Sequence, residues 1–142
     1  MKASARNQCS GTISRVTAGA VHDEVELALP GGQKIVAVVT RESSQTLGLK
    51  EGVAAVALVK ASSVIVLTDA EGARFSARNC LQGEVQRVQP GAVNTEVVIG
   101  LPGGASVAAI VTQESAQALG LKAGMRATAM FKASSVIVGV PA

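Results

Sequence analysis

The sequence predicts an all-β chain built as two tandem five-stranded barrels, each carrying one short helix, and three observations carry that prediction. A shift of 72 positions aligns the chain with itself without a gap, and roughly 36 of about 63 pairs between residues 4–66 and 76–138 are identical; a period that long marks duplicated domains, not solenoid or propeller units. Short runs rich in Val, Ile and Ala, bounded by Gly, Pro, Ser and Asp, recur in both copies, which is the pattern of brief strands. One segment per copy breaks that pattern with a helix-capping signal.

The repeat units run over residues 1–68 and 74–142, joined by a polar linker at 69–73. Residues 4–7 open a strand that continues past Gly11, where a bulge is expected, into residues 12–16. Residues 17–20 turn. From Glu24 to Leu29 charged and aliphatic side chains alternate at first, as in a strand with one wet face. Pro30 and Gly31 fit the two central positions of a type II turn, and the next strand spans residues 34–39. Thr40 is suited to cap a short helix, with Glu42 in its first turn and Gly48 as its stop. Residues 53–60 and 63–68 supply two more strands. Five strands with a helix between the third and fourth suit a small Greek-key barrel of the OB type. Units of about 65 to 70 residues have marginal cores, and residues 36–39 and 53–59 are apolar on both faces. Each unit therefore needs a partner, either its twin or further subunits.

Charge excludes some functions. The net charge is +3, with 7 basic and 6 acidic side chains in residues 1–70 and 6 and 4 in residues 71–142, so neither half offers a polyanion a strongly basic face. Trp and Tyr are absent and Phe stands only at 75 and 131, which removes base-stacking platforms. Cys9 aligns with Leu81 and Cys80 with Gln8, so the cysteines read as small buried apolar side chains, not as a disulfide or metal pair. No leader-like or membrane-length apolar run is present, which places the chain in the cytoplasm. Phosphate-loop, dinucleotide and metalloprotease patterns and CxxC are missing. The sole histidine, His22, aligns with Asn94, so a function common to both copies does not use an imidazole. An enzyme is not expected on these grounds.

The polar groups present in both copies are Ser4, Arg6, Asn7, Glu24, Thr40, Glu42, Ser43, Lys60, Ser62 and Ser63, each with its counterpart 72 positions on. Donors dominate. Arg6 with Lys60, and Arg78 with Lys132, can offset a dianion while hydroxyls and backbone N–H groups bind its oxygens. The competing reading for either basic residue is a surface or ion-pair role, with Glu24 or Glu42 as partner. Local context favours the ligand: the basic residues lie in the unchanged blocks SARN and KASSVIV, whose small neighbours leave room against the backbone.

Taken together, SARN, the GAV block followed by His22 or Asn94 and then Glu24 or Glu96, the strand ends at Thr40 and Thr112, and KAS before a VIV strand resemble the Mop domain of molbindins. The likeness spans the chain twice, as in a di-Mop molbindin. It implies two OB-like barrels per chain, assembly into a homotrimer, and molybdate or tungstate bound at domain interfaces, with no organic cofactor. It further implies oxyanion ligands at Ser4, Arg6, Thr40, Lys60, Ala61 and Ser62, and at Ser76, Arg78, Thr112, Lys132, Ala133 and Ser134. A second type of site, near the threefold axis, is assigned to Val21 and His22 and to Val93 and Asn94. Some relatives place Pro and Trp after the KA pair, where both copies here carry two serines. The resemblance extends to no DNA-binding head.

The leading expectation is intracellular binding of molybdate and tungstate for storage or homeostasis, without nucleic-acid or membrane partners. Two alternatives are an OB-type nucleic-acid-binding module and a structural oligomerisation module, the latter suggested by the apolar strands.

Overall fold

The first repeat folds into strands β1 (Asn7–Thr17), β2 (His22–Ala28) and β3 (Lys34–Thr40), helix α1 (Arg41–Leu47), then β4 (Ala54–Val59), a 3-10 turn at Ala61–Ser63 and β5 (Ile65–Leu67). The second follows the same order: β6 (Asn79–Pro90), β7 (Asn94–Gly100), β8 (Ser106–Thr112), α2 (Gln113–Ala118), β9 (Arg126–Phe131), a 3-10 turn at Ala133–Ser135 and β10 (Ile137–Gly139). This computed structural model describes all residues from 1 to 142.

Local chemistry explains most boundaries. The Gly32 N–H donates to the Leu29 carbonyl at 3.1 Å and Gly31 has φ 98°, so Pro30–Gly31 forms the expected tight turn. The Thr40 hydroxyl accepts the Ser43 N–H at 3.1 Å, and Gly48 ends α1 in the left-handed conformation at φ 65°. Two details differ from expectation. Strand β1 begins at Asn7, so residues 4–6 precede the sheet, and its register shifts between Ile13 and Arg15, not at Gly11. Gly11 serves another purpose. Gly11 still pairs with Ala55 of β4, one residue before β1 passes to β2 at Thr12, and a Cβ on Gly11 would lie 2.2 Å from the Ala28 carbonyl oxygen. Gly83 meets Gly100 in the same way.

Each sheet crosses the repeat boundary. One has the order β10-β4-β1-β2-β3 and the other β5-β9-β6-β7-β8. The last strand of each repeat has therefore changed places with its twin: Val66 pairs with Ala129, and Val138 with Ala57. Because KASSVIV is identical in the two copies, either heptad fits either slot, and the sequence holds nothing that distinguishes them. The strand exchange ties the two repeats into one body. A continuous core of 24 buried residues runs through both sheets, with Ile13, Val25, Ile35, Val85, Val97, Ile99 and Val107 almost wholly inaccessible.

Two buried asparagines reinforce that union. Asn79 donates Nδ2–H to the Val36 carbonyl and accepts the Val36 N–H at Oδ1, both at 2.8 Å. Asn7 does the same to Ala108, at 2.8 and 2.7 Å. Since β3 and β8 are sheet edges, each carboxamide acts as one rung of an added strand and satisfies two backbone groups that lack a ladder partner. The asparagine of SARN is thus an inter-repeat clamp.

Candidate functional site

Two concave sites, one per repeat unit, collect most of the residues singled out by the repeat. The first has a volume of about 540 Å³ and brings together Ser4, Arg6, Lys60, Ala61 and Ser62, with Ile110 and Ile137 from the other repeat. The second, about 520 Å³, brings together Ser76, Arg78, Lys132, Ala133 and Ser134, with Val38 and Ile65 from the first repeat. Strand exchange builds both. Because β5 and β10 cross over, each cavity takes one wall from the opposite half.

The 3-10 turns supply directional donors. In the first, the Ser63 N–H bonds the Lys60 carbonyl at 2.9 Å and the Val64 N–H bonds that of Ala61 at 3.3 Å, leaving the Ala61 and Ser62 N–H groups outside the turn's own bonds. The second turn repeats the arrangement at Ser135 and Val136. Neither Lys60 nor Lys132 forms an ion pair within the chain. Each cavity is therefore lined by a lysine and serines of a turn whose first two amides are outside its own bonds.

The arginines are engaged across the repeats. Arg78 donates Nη1–H and Nη2–H to the two carboxylate oxygens of Glu24, at 2.6 and 2.8 Å. That hydrogen bond, more than the charge alone, holds the Arg78 pKa above its ordinary value. Arg6 reaches Glu96 through Nη1 alone, and the other Glu96 oxygen accepts from Arg87. An ion-pair role with Glu24 is therefore realised, but with the arginine of the opposite repeat.

Thr40 and Thr112 do not line either cavity. They cap α1 and α2, and each hydroxyl also pairs with a serine hydroxyl three residues on, at 2.8 Å. They lie two residues beyond Val38 and Ile110, on the strands that wall the opposite repeat's cavity, so Thr112 neighbours the Arg6 cavity and Thr40 the Arg78 cavity. Val21, His22, Val93 and Asn94 are also outside the cavities, at the entrances to β2 and β7; Val21 and Val93 are 66% and 75% exposed. The Ile110, Ile137, Val38 and Ile65 walls were missed by sequence reasoning, because strand exchange leaves no local trace. Cys80 is exposed, contrary to a buried reading, and only Cys9 is partly shielded. Burial raises the Cys9 thiol pKa. No group of three His, Cys, Asp and Glu side chains is placed to hold a metal ion, and no helix is long and apolar enough to cross a membrane.

Fused OB-like repeats with exchanged last strands and one cavity per repeat place the chain among tandem-repeat β proteins. The chain belongs to the TOBE domain family, whose model matches it twice, over residues 3–66 and 76–138. Among curated relatives, it is 46% identical over 140 residues to a molybdenum transport protein, ModE, of Herbaspirillum seropedicae, covering 99% of this chain and 52% of that one. It is 46% identical over 141 residues to the molybdenum-pterin-binding protein MopA of Rhodobacter capsulatus, covering 99% and 53%. The chain thus spans about half the length of these curated relatives. A solved structure of the cytoplasmic molybdate-binding protein ModG, with molybdate bound, superposes with a TM-score of 0.96 at 50% identity, covering 99% of this chain and 100% of that one.

Proposed function

We propose that this chain is a cytoplasmic binding protein for molybdate, and for tungstate, serving storage or homeostasis and not catalysis. The single observation that carries the reading is the duplicated cavity, where an unpaired lysine, serine hydroxyls and free turn amides converge. A tetrahedral dianion at neutral pH asks for donors and needs no general base, and these cavities supply that chemistry. The ModG likeness over the full length of both chains supports the choice of molybdate. Ser4, Lys60, Ala61 and Ser62, and their counterparts Ser76, Lys132, Ala133 and Ser134, are the proposed ligands. Arg6 and Arg78 supply the remaining positive charge, and Thr112 and Thr40 border the sites. Val21, His22, Val93 and Asn94 form the proposed second type of site.

Cavity size bears on assembly. An oxyanion is far smaller than either open cavity, each of which measures about 520 to 540 Å³. Ile65, Ile137 and Phe75 are exposed apolar side chains beside these openings. Neighbouring copies in a homotrimer would narrow the sites and cover those side chains. Sulfate shares charge and shape with molybdate but is smaller, so cavity dimensions carry the discrimination.

Isothermal titration with molybdate, tungstate and sulfate tests the reading. Saturable heat with the first two and little with sulfate is expected; no heat with any of them contradicts it.

A further inference from the structure

We propose that the two cavities are unequal, the Arg6 cavity taking molybdate more tightly than the Arg78 cavity, with Glu24, Glu96 and Arg87 as the positioning residues that set the difference. The inference rests on the molybdate-binding reading and adds an internal competitor to it. A carboxylate bound to a guanidinium occupies the donors that an oxyanion would use. Glu24 takes both terminal nitrogens of Arg78. Glu96 takes only Nη1 of Arg6, leaving Nη2 and Nε of that guanidinium free of intrachain partners.

The asymmetry traces to one difference between the repeats. On the first sheet Arg15 stands directly opposite Glu26, a carboxylate that also bonds Lys34 at 2.9 Å and Ser14 at 3.0 Å. Arg15 forms no bond to Glu24, which is left whole for Arg78. On the second sheet the residue opposite Arg87 is Val98, which offers no charge. Arg87 turns instead to the diagonal neighbour Glu96 and holds one of its oxygens. Glu96 is thereby shared between two guanidinium groups and its side chain is 15% exposed, against 38% for Glu24. Replacement of Glu26 by Val98 thus frees part of Arg6 in the other repeat.

The cavities can be followed separately in the full-length protein by the backbone amide signals of Ser62 and Ser134 in two-dimensional NMR during titration with molybdate. The Ser62 signal should reach its midpoint at about two- to fivefold lower molybdate than Ser134, the worth of one exposed ion-pair bond. Glu24→Gln should lower the Ser134 midpoint by a similar factor and leave that of Ser62 in place. Arg87→Met should raise the Ser62 midpoint more than Arg15→Met, which removes the equivalent charge beside the other cavity, raises that of Ser134. Coincident midpoints in the unmodified protein, or a Glu24→Gln change that moves both signals together, would overturn the inequality while leaving molybdate binding intact. Failure of both amides to respond overturns the binding reading, and a response at Ser134 alone overturns the inequality.

Discussion

Removing the Asn79 side chain should cost the protein about 3 kcal/mol. Asn79 is 1% exposed, and both of its bonds to Val36 measure 2.8 Å. Asn79→Ala leaves the Val36 N–H and carbonyl unpaired, at about 1–3 kcal/mol apiece where water stays out. Partial water entry brings the total to about 3 kcal/mol, a large share of the ~5–15 kcal/mol that holds a domain folded. The midpoint of thermal unfolding should fall by about 10 °C. Without Trp or Tyr the transition is best followed by far-ultraviolet circular dichroism in urea, at fixed protein concentration because assembly contributes to stability. A companion substitution adds a sign. Asn79→Asp keeps the acceptor but turns a carboxylate toward the Val36 carbonyl, so burial and repulsion raise its folded pKa above the unfolded value. Its penalty should therefore shrink as pH falls from 7 toward 5, since a group with a raised folded pKa contributes stability below the unfolded pKa and loses it as pH rises. An Asn79→Ala protein within about 0.5 kcal/mol of the parent would refute the clamp.

Gly11→Ala should destabilise the chain by about 2 kcal/mol or more, because its Cβ would sit 2.2 Å from the Ala28 carbonyl oxygen; urea unfolding measures this, and Gly32→Ser, at a site with open space around it but a φ of 93°, separates steric from conformational cost. A thiol reagent should label Cys80 well before Cys9, whose thiol is raised in pKa by burial; equal rates by mass spectrometry would contradict the assigned exposures. The hydrogen bond from Lys34, followed by that from Ser14, lowers the Glu26 pKa. The small stability it adds is present above the ordinary carboxylate pKa and is lost as pH falls through the lowered folded value, so Glu26→Gln should flatten the acid side of the stability profile slightly. Arg6→Ala with Arg78→Ala should abolish high-affinity molybdate binding with the fold retained, read by calorimetry beside circular dichroism; unchanged stoichiometry would place the ligand elsewhere.

Much of this architecture was legible in the residues. Pro30–Gly31, the Thr40 and Gly48 caps and the β-branched runs each act over a few positions, so the turn, the helix and most of the strands follow from local chemistry. The exchange of β5 and β10 does not, because an identical heptad in both repeats leaves the choice of slot to the tertiary fold. The same limit applies to the sites. Arg6, Lys60 and Ser62 stand out by repetition and do meet in one cavity, but Ile110 and Ile137 reach it only through the second repeat. SARN divides between Ser4 and Arg6, which border a cavity, and Asn7, which clamps β8. Gly11 was informative for a reason other than a bulge: a carbonyl passes where its side chain would be.

The most direct measurement is anomalous diffraction near the molybdenum absorption edge from crystals of this protein grown with molybdate. Each of the two cavities should show a peak, one beside Lys60, Ala61 and Ser62 and one beside Lys132, Ala133 and Ser134. Molybdenum bound elsewhere while both cavities hold only solvent would contradict the assignment of these cavities as the oxyanion sites.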